Sequence, residues 1–261
     1  MTMHGNNLIQ WTKGAKYWDK AWNPVIGCEK VSEGCANCYA ETMCKRFPTL
    51  NGYEFRPKVK FGSKPPITGV VFVGNMTDLF GEWNTHEDID RWICQMSLSG
   101  KAEYLVLTKR TKRMREIYPD CPHPFVNIGM TAENQKRYDE RFRDFRFVSF
   151  RGYHWLSAEP LLGPINLMKL VQIRHPDNEG YGVPSAKLFS WVVVGAESGP
   201  NRRPCELEWV EQIVETCQSC KIPVFVKQLD LGGKLVKEIS KFPEHLQIRQ
   251  VPWAIEKGAS K

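Results

Sequence analysis

The chain has 261 residues, of which 42% are hydrophobic and 25% charged, enough to bury a large core without disulfide bonds. No apolar run approaches the roughly 18 residues of a membrane span, and residues 1–10 lack the apolar region of a secretory signal. Collagen-like, disordered and membrane-spanning classes are therefore not expected. Nine cysteines without a secretion signal indicate metal binding or catalysis, and we expect a cytoplasmic protein.

The first element in chain order is a predicted strand that leads into Cys28. A loop with Cys28, Cys35 and Cys38 follows, and then Tyr39 and a predicted helix at residues 40–47, which would cover one side of that loop. Residues 51–66 are rich in Pro, Gly and Lys, which predicts a surface loop.

After this region the sequence alternates between short apolar runs and helix-like segments. The predicted strands are residues 69–74, 103–108, 125–131, 153–158, 190–196 and 222–227. The predicted helices are residues 86–98, 111–118, 132–145 and 206–220. The apolar runs hardly alternate, which is typical of strands buried on both faces, and this order predicts a parallel sheet with crossover helices. Residues 172–187 are predicted to be a second exposed loop.

The alternation predicts an α/β fold with a TIM-like parallel β/α barrel, partial or closed, in one domain spanning residues 1–261. The N-terminal segment 1–21 and the C-terminal tail 234–261 are expected to pack on it. Almost every predicted strand ends in polar residues, which carry functional groups at the carboxyl edge of such folds. The polar residues at these ends are Asn75, Asp78, Lys109, Thr131, Glu133, Glu159, Glu197 and Lys227.

The three clustered cysteines predict a metal centre. Three thiolates can hold three irons of a four-iron cluster, and the fourth iron stays open to a substrate or cofactor. The alternative is a zinc site of the same three cysteines with Cys44, although Cys44 lies six residues on in a predicted helix, a poor fit to paired knuckles. Cys217 and Cys220 are i and i+3 on one helix, and this position predicts packing more than a second cluster.

The motif GCANCYA at residues 34–40 resembles the cluster loop of radical S-adenosylmethionine (SAM) enzymes. Those enzymes usually have three residues before the second cysteine, where this chain has six. More closely, WNPVIGC and SEGCANCYAE resemble an uncharacterised, phage-associated radical-SAM-like family. The blocks GNMTDLF, LTKR, NIGMTAE, SAEPLLGPI, WVVVGAESGPNRRP and VFVKQ resemble it in the same order, over nearly the whole chain.

The resemblance implies a barrel of the radical SAM type and a [4Fe–4S] cluster held by Cys28, Cys35 and Cys38. The cluster would bind SAM and cleave it reductively to methionine and a 5′-deoxyadenosyl radical, with electrons from a flavodoxin- or ferredoxin-like protein. SAM contacts are expected from Tyr39, Asn75, Asp78, Lys109, Thr131 and Glu133. Structural roles explain the last five residues equally well. These are an Asx turn for Asn75 and Asp78, an exposed first-turn position for Lys109, and a helix cap for Thr131 and Glu133.

Substrate contacts are expected from Glu159, Glu197, Arg202, Arg203 and Lys227, and a buried Glu–Lys network is the alternative for Glu159. Net charge is +7, and the segments 101–115 and 136–151 each hold six basic residues. These predict a polyanion site, DNA or RNA, or else two solvated helix faces. Three functions follow: a radical SAM enzyme on a nucleic acid or nucleotide, one on a small molecule or peptide, or a zinc-stabilised nucleic-acid-binding module without catalysis.

Overall fold

The computed structural model describes residues 17–47, 54–60, 62–98, 100–175 and 178–253. Its strands are β1 Lys20–Trp22, β2 Val25–Ile26, β3 Lys58–Val59, β4 Gly69–Val73, β5 Ala102–Thr108, β6 Asp120–Cys121, β7 Val126–Thr131, β8 Ser149–Phe150, β9 His154–Ala158, β10 Leu170–His175, β11 Asn178–Pro184, β12 Trp191–Gly195, β13 Val224–Leu231 and β14 Lys234–Val236. Its α-helices are α1 Tyr39–Arg46, α2 His86–Ser97, α3 Thr111–Ile117, α4 Gln135–Phe145 and α5 Leu207–Cys220.

One eight-stranded sheet dominates the fold, in the order β1-β4-β5-β7-β9-β12-β13-β14. All neighbours pair in parallel except β13 and β14, which are antiparallel. The sheet curls into a half-barrel. Within the described part of the chain, β1 and β14 do not pair, so the barrel is partial. The predicted α/β class and parallel sheet are confirmed at this level.

The two faces of the sheet are buried differently. The outer face packs against helices through residues such as Val106 and Leu156 with Ile93 of α2 and Phe142 of α4. The inner face is covered by the aromatic cluster, which we define as Tyr17, Phe72, Trp155, Trp191, Phe225 and Trp253. Burial on both faces explains why the central strands read as continuous apolar runs.

Local sequence signals set the helix starts. The Thr85 hydroxyl accepts a hydrogen bond from the Asp88 amide and caps α2. The Asn134 side chain accepts from the Arg137 amide and caps α4, so that this helix begins at Gln135, after the predicted residue 132. Residues 132–134 are therefore a connection that extends from the edge of the sheet.

The structure bears on two further predictions, the loop at residues 172–187 and the terminal segments. Residues 172–187 were expected to be a loop, and this is wrong in part, because β10 and β11 form an antiparallel hairpin across residues 170–184. Of the predicted terminal segments, residues 1–16 and 254–261 lie outside the described residues, whereas Tyr17 and Trp253 pack on the inner face. No helix in the described ranges is long and apolar enough to cross a membrane.

Candidate functional site

The loop of residues 27–38, called here the cysteine loop, connects β2 to α1 and carries three free thiols. Cys28, Cys35 and Cys38 are all partly exposed. Gly27 has φ +101°, and a Cβ there would lie 2.1 Å from the Arg56 carbonyl oxygen. The turn into the cysteine loop therefore requires glycine at this position.

Charged groups surround the thiols. Partial burial raises the pKa of Cys28 to about 12, against the effect of the Arg110 guanidinium, whose Nη1 lies 4.0 Å from Cys28 Sγ. The pKa of Lys30 is raised first by Glu41, and to a smaller extent by Cys38 and Cys35. Each of the three thiols thus lies within electrostatic reach of a cation.

Glu33 ties the cysteine loop to the start of α4. Its Oε2 accepts from Arg137 Nη2 at 2.7 Å and Nε at 2.9 Å, and its Oε1 accepts from Asn134 Nδ2 at 2.7 Å. The hydrogen bonds from Arg137 lower the pKa of Glu33 to about 2. Both Arg137 donors bind the same oxygen and Asn134 binds the other, so that three hydrogen bonds hold the Glu33 carboxylate in place.

Glu133, which follows β7, contacts the cysteine loop from the edge of the sheet. It is fully buried, and its Oε1 accepts from Ser32 Oγ at 2.8 Å, while Arg141 Nη1 donates to Oε2 at 2.6 Å. Lys109 Nζ lies 3.7 Å from Oε1. Burial alone would raise the pKa of Glu133, but Lys109 and Arg141 outweigh it and lower the pKa. A Cβ at Gly34 would lie 2.2 Å from this carboxylate, so the loop backbone touches it directly.

Glu197, after β12, completes the attachment. Its Oε2 accepts from Asn37 Nδ2 at 3.0 Å and from the Arg203 amide at 2.8 Å, and Arg203 Nη2 also donates to its Oε1. Arg203 Nη1 donates to the Glu33 carbonyl at 2.9 Å. Arg202 points to the tail, where it donates to the Gly233 carbonyl. We call Glu33, Glu133, Arg137, Arg141, Glu197 and Arg203 the anchoring network.

The end of β4 is held by Asp78. Its Oδ1 accepts from Thr108 Oγ1 at 2.8 Å and from the Phe80 amide at 3.0 Å, and its Oδ2 accepts from the Lys109 amide at 2.9 Å. Arg110 Nη1 lies 3.4 Å from Oδ2. Asp78 therefore joins the ends of β4 and β5, and its oxygens already have partners within the chain.

Asn75 and Tyr39 meet beside the cysteine loop. The Tyr39 hydroxyl donates to the Asn75 carbonyl, and Asn75 Oδ1 accepts from Asn23 Nδ2 at 2.6 Å. Tyr39 is 50% exposed, and Asn75 is half-buried. By contrast, Thr131 is buried and its carbonyl accepts from Arg141 Nη1 at 2.7 Å.

A further set of polar side chains lies inside the half-barrel, in contact with the aromatic cluster. Lys227 Nζ lies 2.8 Å from Glu159 Oε1, and Glu159 Oε2 accepts from Tyr17 at 3.3 Å and from Ser157 at 3.2 Å. Lys227 Nζ also lies 5.6 Å from the centroid of the Tyr17 ring. Burial, and then Glu159, raise the pKa of Tyr17 well above its ordinary value. We call Tyr17, Glu159 and Lys227 the interior trio.

The structure thus brings the predicted site residues to one edge of the sheet, where the cysteine loop contacts the ends of β5, β7 and β12. Sequence reasoning missed Tyr17, Arg110, Arg137 and Arg141. Arg110 left a signal, since it adjoins Lys109 at a strand end, and Arg137 and Arg141 left a weaker one, since they lie in the basic segment 136–151. Cys44 and Cys217 are buried, and burial raises the pKa of Cys217 to about 12. Among the described residues, no group of three His, Cys, Asp or Glu side chains is placed to hold a single metal ion.

Fold and site together define a mixed α/β protein with a curled, mostly parallel sheet and a three-cysteine loop across its carboxyl edge. A family model matches residues 9–249, and the chain belongs to this family, described as a protein of unknown function, DUF5131. No curated protein and no solved structure matches the chain.

Proposed function

We propose that the protein is a radical SAM enzyme whose [4Fe–4S] cluster is held by Cys28, Cys35 and Cys38 and whose substrate is a nucleic acid or nucleotide. The observation that carries the proposal is the cysteine loop itself. It offers three partly exposed thiols and is anchored across the carboxyl edge of a half-barrel, beside a polar interior. The sequence blocks shared with a radical-SAM-like family support the same conclusion.

The donor set fits such a cluster. Three cysteines of one loop match the three-thiolate ligation that leaves one iron open, and thiolates are the ligands of iron–sulfur clusters. Arg110 Nη1 lies 4.0 Å from Cys28 Sγ, where its positive charge opposes the burial and the Asp78 carboxylate that raise the pKa of this thiol. Lys30 lies within electrostatic reach of Cys35 and Cys38. When bound, the cluster would supply the electron that cleaves SAM to methionine and a 5′-deoxyadenosyl radical.

The geometry divides the expected SAM-binding residues into two roles. Tyr39, Asn75 and Lys109 are partly exposed, and we assign them direct contacts with SAM. Asp78, Thr131 and Glu133 are buried and engaged within the chain, so they act as positioning residues. We assign to Glu133 and Asp78 the placement of Lys109, since Glu133 faces its ammonium and Asp78 accepts from its amide.

The interior trio faces the substrate in this proposal. Lys227 retains 31% side-chain exposure and Glu159 retains 11%, so both remain accessible to a polar group of a bound molecule. The aromatic cluster beneath them excludes water from the opposite side, and a dry cavity suits radical chemistry because it removes competing reactions. Glu197, Arg202 and Arg203 border the same edge, and a cytoplasmic flavodoxin- or ferredoxin-like protein would be the electron donor.

The test begins with protein purified without oxygen and assayed for iron, sulfide and zinc. We expect about four irons per chain and broad absorption near ~400 nm. Both should be lost in the triple variant Cys28→Ala/Cys35→Ala/Cys38→Ala. The matched control is Cys94→Ala, because Cys94 is an exposed thiol on α2 outside the cysteine loop. The reduced protein should then convert SAM to 5′-deoxyadenosine, and the triple variant should not.

Two results would overturn the proposal. One tightly held zinc in colourless protein would favour a zinc-stabilised nucleic-acid-binding module. Protein with its full iron content that never forms 5′-deoxyadenosine under strong reduction would exclude radical SAM chemistry. Turnover of a small molecule or peptide, unaffected by added nucleotides, would overturn only the proposal that the substrate is a nucleic acid or nucleotide.

A further inference from the structure

The two basic stretches of the sequence meet on the outer surface of the half-barrel. Helix α3 belongs to the first stretch and α4 to the second, and the two helices pack side by side. Arg115 of α3 crosses to Asp144 of α4, with Nη1 at 3.2 Å from Oδ1. The folded chain therefore brings Arg115 of the first stretch against the helix of the second stretch.

An exposed aromatic ring lies beside this contact. Phe147 follows α4 and is 54% exposed. The guanidinium carbon of Arg115 lies 4.6 Å from its ring centroid, and that of Arg146 lies 4.5 Å from it. A single exposed apolar side chain means little, but a ring held by two arginines is an ordered platform of three planar groups.

We propose that this basic–aromatic patch, formed by Lys112, Arg115, Arg146 and Phe147, binds single-stranded nucleic acid. Arginines pair with phosphate oxygens, and aromatic and guanidinium planes stack on unpaired bases. Paired bases in a duplex do not offer their faces to such a platform. An acidic peptide would match the charge but not the exposed ring. Two carboxylates reduce the local charge, Asp144 beside Arg115 and Glu116 at 3.9 Å from Lys112.

The patch is connected to the candidate site by a short helix. Arg110, which contacts Asp78 and lies beside Cys28, immediately precedes α3, and Arg115 is five residues further on, about 8 Å along the helix axis. The exposed ring follows the end of α4, which is 11 residues long and spans about 16 Å from its start at the cysteine loop. A strand bound at the patch would therefore reach the edge where the chemistry is proposed by running along α3 and α4. This inference rests on the proposed function for its biological role, and it names the substrate there as a polynucleotide.

The test is fluorescence anisotropy with labelled single-stranded DNA and RNA, using anaerobically purified protein without SAM or reductant. Arg115→Ala/Arg146→Ala should weaken binding at least tenfold and reduce the slope of log affinity against log salt by about 1.4, for two lost phosphate contacts. Phe147→Leu should weaken binding about fivefold or more with the salt slope unchanged, because it removes stacking alone. The control Arg91→Ala/Lys241→Ala removes two exposed, carboxylate-paired cations elsewhere and should bind as wild type.

Circular dichroism would verify that each variant is folded. Wild-type binding by folded Arg115→Ala/Arg146→Ala protein would overturn the proposal, as would preference for duplex or equal competition by polyglutamate. Because the assay involves neither SAM nor electron transfer, a negative result here leaves the SAM-cleavage test intact. Failure of SAM cleavage likewise leaves the binding result intact.

Discussion

The inner face of the half-barrel has two halves, and they differ in what holds them together. Along β9 and just beyond it, alternate residues change from Trp155 to Ser157 to Glu159, and on β13 they change from Phe225 to Lys227. The same strands thus supply an aromatic cluster at their amino ends and charged groups at their carboxyl ends. Every second side chain of a strand lies on the same face of the sheet. Two residues along each of these strands, an aromatic side chain on the inner face is therefore followed by a polar or charged one.

The energetics of the two halves should differ accordingly. Tyr17 and Trp191 pack edge to face with ring centroids 5.2 Å apart, and neither is more than a few per cent exposed. Such apolar burial stabilises the fold with little dependence on pH. The anchoring network instead relies on ion pairs, whose contribution depends on every partner being present and on pH.

The largest expected effect comes from removing part of the aromatic cluster. Trp191→Ala should lower the free energy of unfolding by about 3–5 kcal/mol, because it deletes a fully buried indole and leaves a cavity. Urea denaturation would measure this. The control Leu98→Ala removes a side chain that is 85% exposed and should change stability by less than about 0.5 kcal/mol. Equal losses in both variants would show that the aromatic cluster does not dominate the stability of the inner face.

The next effect comes from the buried half of the anchoring network. Glu133→Gln should cost about 3 kcal/mol, because Arg141 is then left buried without its counter-ion. The matched control is Glu140→Gln, which breaks an exposed pair with Arg137 and should cost less than about 1 kcal/mol. Thermal unfolding of both variants would show whether the difference exists, and its absence would contradict the role given to Glu133.

A smaller effect is expected at the interior trio. Glu159→Gln should leave the fold and cluster content unchanged but reduce substrate turnover about 10- to 100-fold, the value of a charge-assisted hydrogen bond. Formation of 5′-deoxyadenosine without substrate should continue in this variant. Parallel loss of both activities would indicate that Glu159 serves SAM binding instead.

The smallest effect concerns pH. Glu33 has a pKa lowered to about 2 from an ordinary value of 4.5, so its pairing with Arg137 stabilises the protein fully above about pH 4.5. This contribution is lost as the pH falls through about 2, when the carboxylate becomes protonated. Glu33→Gln should therefore lower the melting temperature slightly at pH 7, and the difference from wild type should shrink between pH 4.5 and 2. A difference that does not vary with pH would indicate a steric cause.

Much of the fold could be predicted from sequence, because strands buried on both faces leave continuous apolar runs such as that of β12. The β10–β11 hairpin was not predicted, because the alternation of Val171 and Ile173 with Gln172 and Arg174 is short and a polar stretch follows it. At the site, the cysteines and the strand-end residues were predictable from local pattern. The pairing of Glu33 with Arg137 was not, because 104 residues separate them and nothing in the basic segment 136–151 indicates which of its residues contacts Glu33.

The order in which the anchoring residues are synthesised has a consequence for the exposure of the three thiols and for the loading of the proposed cluster. The cysteine loop emerges from the ribosome early, but Arg203, which holds the Glu33 carbonyl, follows it by 170 residues. At about 5–20 residues per second, translation of that interval takes roughly 10–30 seconds. During this time the thiols belong to an unanchored segment, open to oxidation or to the wrong metal. If the proposed cluster is present, its assembly would therefore await, or be protected until, completion of β12 and the loop beyond it.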